Sequence, residues 1–343
     1  MLRVAMLVLL AVIAPASIRA QAVVRAPDGT LTGLVRDSAS GEPVGFALVI
    51  VVGRERRSFA TEAGRFAVRV PDPGSYTLRV QQIGYAPAEI PVRVDRDGPA
   101  SPGLEIRLAR RVLVLPDLAA VGDRCGPPGS PEPAGSLVDL ALINVERLLA
   151  AEQGYPTRTV FQRVTSWLDS AYTLLGGRVD TIQRDSRRAE PYRRGRVISR
   201  RGPWNRREVA NYFSTADIAR DEFRRWHCFW YSGPDSTGDR LLARVDFAPQ
   251  ADVTEPDWAG SLLLDARTGV LVSSESRLVN LPSRGSVFES AQCRVTYREL
   301  AATVLQEGGA TCTVIERSRP RRIVIERWIL VQHEFLGRRP DTP

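Results

Sequence analysis

Residues 63–85, AGRFAVRVPDPGSYTLRVQQIGY, alternate apolar and polar positions, pause at a proline and glycine turn, and alternate again. Phe66, Val68 and Val70 share one side of the chain while Arg65, Ala67 and Arg69 share the other. Past the turn, Tyr76, Leu78 and Val80 oppose Thr77, Arg79 and Gln81. A period of two places these sets on opposite faces of half-buried strands, and PDPG at 71–74 supplies a fixed φ and a permissive glycine for the reversal. Further short strands are predicted over 31–36, 47–52, 90–94 and 104–108, with turn residues between them. The N-terminal third therefore predicts an antiparallel β-sandwich of the seven-stranded type.

The pattern then changes. Residues 111–135 are dense in Pro and Gly and read as a linker. In SLVDLALINVERLLAAEQGY, Leu137, Leu140, Ile143, Leu148 and Ala151 form a helical stripe. Ser136 and Asp139 stand at capping-box spacing and Gly154 follows the end. Long alternating segments follow at 159–167, 172–182, 194–199, 240–247, 260–265, 270–281, 292–299, 311–317 and 322–335, with a hairpin reversing at Gly269. The fold class expected is mainly β: the sandwich, then a larger, curved antiparallel sheet over 136–336 with one or two helices. A disordered tail is expected over 337–343.

The opening segment, MLRVAMLVLLAVIAPASIRAQA, has a basic start at Arg3, an apolar run and small residues at Ala20 and Ala22, as a removed export signal would over 1–22. The run falls short of the roughly 20 residues that cross a bilayer, and no later stretch is long enough. The mature chain is therefore expected in the periplasm, at the outer membrane or on the cell surface, without a spanning segment. Export gives the four cysteines an oxidising environment. Cys293 with Cys312 is the favoured pair, close in sequence and both in strand-like segments, leaving Cys125 for Cys228. CxxC spacing is absent, so no metal site is expected. Every one of the 47 basic residues is Arg, so the net charge of +8 reflects a compositional bias more economically than a nucleic-acid surface.

Residues 29–110 resemble the carboxypeptidase regulatory-like domain, a transthyretin-like β-sandwich. Gly33, Val35, Asp37, Gly41, Pro43, Val49, Gly64, Phe66, Gly74, Tyr76, Leu78, Gly84 and Tyr85 carry the likeness. The resemblance implies an accessory module of the kind attached to peptidases, outer-membrane transporters and surface proteins, with no catalytic residues of its own. His227 and His333, the two histidines, lack the spacing that zinc carboxypeptidases use. More weakly, RLLARVDFAPQ and WAGSLLLDARTGVLVSSESRLV make residues 137–335 similar to envelope proteins built on the lipoprotein-carrier half-barrel.

Three groups of residues are candidates for function. On a helix over 214–226, Asp217 and Asp221 would stand one turn apart, suited to paired-carboxylate chemistry or, more plainly, to capping by Ser214 and Asp217 with Arg224 and Arg225 at the far end. Trp226, Trp230 and Tyr231, with His227, Phe229 and the later Trp258, are either a ligand-stacking surface or core. Arg193, Arg194, Arg196, Arg200 and Arg201 lie in an arginine run that also includes Arg187, Arg188, Arg206 and Arg207. That run is either a solvated hairpin edge or an anion site. No nucleophile elbow is present, so no catalytic residue or cofactor is assigned. The leading expectation is a noncatalytic secreted envelope protein whose sheet binds an apolar ligand, a glycan or an envelope protein partner, and no nucleic acid, with helix 136–153 filling the sheet's face or lidding it. The alternative is an envelope hydrolase using carboxylates in the C-terminal part.

Overall fold

The structure is a computed structural model that describes residues 22–54, 56–97, 102–113, 136–186, 190–201, 207–211, 213–237, 240–318, 320–337 and 339. The expected signal (except Ala22), most of the linker, Cys125 and most of the tail lie outside these residues.

Eight short strands build the N-terminal part: β1 (Ala22–Arg25), β2 (Thr30–Asp37), β3 (Leu48–Val51), β4 (Arg56–Phe59), β5 (Arg65–Arg69), β6 (Gly74–Gln81), β7 (Ala88–Asp95) and β8 (Leu104–Leu108). They form a five-stranded sheet, β1-β7-β6-β3-β4, and a three-stranded sheet, β5-β2-β8. Leu31, Val35, Phe66, Val68, Leu78, Val80, Val92 and Ile106 fill the space between them. The alternation seen in the sequence is the alternation of this core. Two pairings are not antiparallel as expected: β1 with β7 and β2 with β8 run parallel. Both parallel pairs join strands far apart in sequence, which no hairpin pattern can report. Gly33 sits where these strands close on each other, and a Cβ there would lie 2.3 Å from the Leu104 carbonyl oxygen.

The rest comprises α1 (Leu137–Gly154), β9 (Thr157–Leu168), β10 (Leu174–Asp185), β11 (Ile198–Arg201), β12 (Arg207–Ala210), a 3-10 turn (Thr215–Ala219), α2 (Asp221–Trp226), β13 (His227–Thr237), β14 (Arg240–Pro249), β15 (Asp257–Asp265), β16 (Leu271–Val279), β17 (Phe288–Ala301), β18 (Val304–Glu316) and β19 (Arg322–Phe335). Nine of these strands form one antiparallel sheet, β10-β9-β19-β18-β17-β16-β15-β14-β13. The molecule is therefore mainly β. β11 and β12 form a separate ribbon, and β11 starts later than expected because Arg193 to Arg196 is a turn, with Gly195 at φ 71°. β18 starts earlier, at Val304: Gly308 is the extra residue of a bulge in this strand, opposite Thr296 and Tyr297 of β17. Cys293 and Cys312 face each other across β17 and β18 and are bonded. Cys228 is also in a disulfide. Among the described residues no helix is long and apolar enough to cross a membrane.

Helix α1 fixes where the remaining space lies. Ser136 accepts the Asp139 N–H at 2.9 Å, so the helix begins as its cap residue predicts. It packs on one side against an apolar surface of the large sheet that includes Ala243, Val245, Phe247, Leu262 and Leu264. On its other side Ala150 and Ala151 meet Leu48, Ile50 and Phe59 of the N-terminal sheets and Phe46 of the turn before β3. A helix covered on two sides buries more than an amphipathic stripe, and Asn144, Glu146 and Arg147 are buried too. Each has found partners. Asn144 donates to the carbonyls of Leu140 and Gly269 and accepts the Leu271 N–H, all at 2.9 Å. Glu146 accepts from Gln81 at 2.7 Å and from Arg224 at 2.8 Å.

The segment 214–226 is not one helix. Arg220 is extended, at φ −84° and ψ 142°, and separates the 3-10 turn from α2. Five residues of continuous helix would rotate Phe223 about 140° from Ile218. Both are fully buried, and the break at Arg220 is what lets both reach the core.

Candidate functional site

A cleft of about 920 Å³ opens beside the C-terminal end of α1. Leu148, Ala151, Glu152 and Tyr155 line it from the helix region, at the i, i+3, i+4 and i+7 spacing of one helix face. Thr157, Thr159 and Phe161 line it from β9, and alternate positions again supply Val295 and Tyr297 from β17 and Leu305 and Glu307 from β18. Arg184 closes one side from β10, and Phe213, Ser214, Thr215 and Asp217 close another. Tyr192, Arg193 and Arg196, from the segment before β11, complete the wall.

Its polar groups are held in place by the surrounding packing. Gln306 donates to the Thr157 and Thr159 hydroxyls at 3.1 and 3.2 Å. The Tyr297 hydroxyl lies 2.7 Å from Ser274 Oγ, which lies 2.7 Å from Thr215 Oγ1. Burial pushes the Tyr297 phenol well above its usual range. Tyr192 donates to Asp257 Oδ2 at 2.7 Å, and burial pushes that phenol up as well.

Five acidic residues line the cleft, Glu152, Asp185, Glu190, Asp217 and Glu307, and Glu152 and the two that repel it, Asp217 and Glu307, have different environments. Asp217 is paired with Arg220 at 2.7 Å, and Glu307 with Arg184 at 3.1 Å. Glu152 accepts a long hydrogen bond from Ser214 at 3.4 Å. Loss of solvent, with repulsion from Asp217 and Glu307, raises the Glu152 carboxyl to about 7, against the weaker opposing pull of Arg220. Asp217 is raised too, by burial, although Arg220 opposes the shift. Such a carboxyl can accept or donate a hydrogen bond near neutral pH, pair with a cation, or exchange a proton with a bound molecule.

The sequence candidates divide around this cleft. Asp217 lines it, whereas Asp221 is exposed on α2, so the expected pair on one helix is replaced by Asp217 with Glu152. Arg224, which stands with Arg225 in the last turn of α2 as expected, also pairs with Glu146 of α1 at 2.8 Å. His227 lies outside the lining, fully buried against Phe223 at 3.6 Å between ring centroids, with its ring nitrogens 2.9 and 3.0 Å from the Phe223 and Trp258 carbonyl oxygens. Trp258 is 5% exposed, part of the core and part of the cleft wall. Trp226 is covered by the Arg194 guanidinium at 3.9 Å, and Arg194 is also paired with Glu255. Trp230 and Tyr231 lie on β13, at the far edge of the sheet, outside the lining. Of the arginine run, Arg193 and Arg196 line the cleft; the side chains of Arg200 and Arg201 lie outside the described residues. Among the described residues no group of three or more His, Cys, Asp and Glu side chains is arranged to hold a metal ion.

Glu152, Glu307, Tyr192 and Tyr297 escape sequence reasoning. The one usable signal is Glu152, an acid four residues after Leu148 on the apolar side of a helix.

Residues 30–109 match the family model of the carboxypeptidase regulatory-like domain. No curated protein matches the chain. Among solved structures, a LolA superfamily protein from Nitrosomonas europaea aligns at 8% identity and a TM-score of 0.32, over 58% of this chain and 94% of that one. A DUF1329 family protein from Desulfovibrio piger aligns at 9% identity and a TM-score of 0.31, over 58% and 93%.

Proposed function

We propose that this chain is a noncatalytic binding protein of the bacterial envelope, exported to the periplasm or the cell surface, in which the large sheet and α1 hold a ligand and the N-terminal sandwich is the accessory module. The observation that carries the reading is the cleft itself. Its 920 Å³ falls within the size range of small-molecule sites, and its wall combines apolar and aromatic side chains with a comparable share of polar and charged ones. Helix α1 covers one part of the sheet's face, including part of β18, and the cleft lies beside it, lined by β9, β17 and β18. An apolar molecule or a glycan with one polar end is the class of ligand such a wall accommodates.

The test is recovery of the occupant. Protein purified from its native envelope is denatured and extracted, and the extract is examined by mass spectrometry beside that of Thr159→Trp, which places an indole in the cleft. One species recovered in near-stoichiometric amount from the wild type and lost from a folded Thr159→Trp supports the reading. An empty wild-type extract counts against it.

The raised carboxyl of Glu152 beside Asp217 favours a second reading, an envelope hydrolase that uses Glu152 as a proton donor. Turnover of envelope glycans or esters that Glu152→Gln abolishes would replace the binding reading with this one.

A further inference from the structure

We infer that the ligand of this cleft carries an ammonium group on an apolar body, and that Glu152 receives it. This rests on the binding reading above and specifies its ligand class. Of the five acidic residues that line the cleft, Asp217 and Glu307 are the ones that repel Glu152, and both already have a guanidinium: Arg220 for Asp217 at 2.7 Å and Arg184 for Glu307 at 3.1 Å. Glu152 has no ion pair among the described residues, only the Ser214 hydroxyl at 3.4 Å. Arg193 and Arg196 share the cleft with it but form no ion pair with it. Glu152 is thus left without a cation at this end of the cleft, next to apolar surface from Leu148, Tyr155, Phe161 and Leu305. A cation with a short aliphatic or aromatic body meets both demands: its charge completes the third pair, and its body covers the apolar wall and the Tyr155 ring.

The groups facing Glu152 are consistent with this. Asp217 approaches it from the 3-10 turn and Arg220 from the break after that turn, Glu307 from β18 with Arg184 behind it on β10, and Tyr297 from β17. Loss of solvent and, after it, the two acids disfavour its ionisation, Arg220 and the Ser214 hydroxyl oppose them only in part, and the carboxyl is held at about 7. An ammonium ion of pKa about 10.4, like that of a lysine side chain, stays charged throughout the range in which Glu152 titrates. Its binding then follows the ionised fraction of Glu152. Affinity should rise about tenfold from pH 6 to pH 8, because that fraction rises from roughly a tenth to roughly nine tenths.

The experiment is calorimetry on the mature chain with n-hexylammonium, hexanol and hexanoate as probes, at pH 6 and pH 8, for the wild type and Glu152→Gln. The expected result is hexylammonium bound at least tenfold more tightly than hexanol at pH 8, a smaller gap at pH 6, and no gap in Glu152→Gln. Glutamine is isosteric and removes a repelled charge, so the variant should fold; the wild-type pH dependence reads the same group without any substitution. Hexanoate binding more tightly than hexylammonium would transfer recognition to Arg193 and Arg196 and overturn the inference, as would an unchanged amine preference in Glu152→Gln. If hexanol and hexanoate bind without an amine preference, only this inference fails. If none of the three binds and the native extract is empty, the binding reading fails with it.

Discussion

Arg147, in the middle of α1, donates a hydrogen bond at 2.9 Å to the main-chain carbonyl of Phe46 in the turn before β3. The same guanidinium donates to the Thr303 hydroxyl at 2.7 Å and the Thr303 carbonyl at 3.2 Å, and lies 5.1 Å above the Phe59 ring. Phe46 and Thr303 both have left-handed backbone, at φ 55° and 60°. One buried cation thus ties together two conformations that side chains with a Cβ rarely adopt. Burial lowers the Arg147 pKa to about 9.

Arg147→Ala should cost about 3 kcal/mol, since it leaves buried carbonyl oxygens without donors and opens a cavity beside Phe59. Urea unfolding followed by tryptophan fluorescence measures it. A loss below about 1 kcal/mol would mean that the apolar contacts of Phe46, Leu48, Ile50 and Phe59 with Ala150, Ala151, Tyr155 and Val304 join the two parts without the arginine.

The Cys293–Cys312 bond closes a loop of 19 residues between paired strands. Loop-closure entropy gives it about 3 kcal/mol. The Cys293→Ser, Cys312→Ser double variant should unfold at correspondingly lower denaturant while the binding of hexylammonium in the cleft is unchanged, because neither cysteine lines it.

Much of this was legible in local pattern. Phe66, Val68 and Val70 alternate because a single strand has two faces, and the cysteines of β17 and β18 stand near each other in sequence as well as in space. The cleft was not legible. Glu152, Asp217 and Glu307 come from a helix, a 3-10 turn and a strand, and only the packed fold brings them together. Asp217 and Asp221 misled because helical spacing assumes a continuous helix, and the demand to bury both Ile218 and Phe223 breaks it at Arg220.

Glu152 should make stability fall as pH rises. Its carboxyl holds a proton more firmly in the folded protein, at about 7, than at the model-peptide value of 4.5. The folded state is therefore favoured below about pH 4.5 and progressively loses that advantage as pH climbs through 7, by on the order of 3 kcal/mol. Glu152→Gln should flatten the stability profile over this interval in chemical denaturation measured at several pH values; a profile identical to that of the wild type would place the titration elsewhere.

Asp37 should act in the opposite direction. The Arg110 guanidinium at 2.6 Å, the Ser40 and Ala39 N–H groups and the Tyr85 hydroxyl hold its carboxyl far below the usual carboxylate range. Its contribution is present above the unfolded value of 3.8 and is lost as acid protonates it through the lower folded value. Asp37→Asn should destabilise the sandwich at neutral pH, and the difference from wild type should shrink in strong acid, as read by thermal melts across pH.

Tyr155 belongs to two structures at once: it lines the cleft, and its ring stacks on Phe59 at 5.7 Å. Ala151 has the same dual membership. Whatever presses on this tyrosine from inside presses equally on the neighbouring sandwich. The N-terminal sandwich is then less an appendage than a backstop to the cleft.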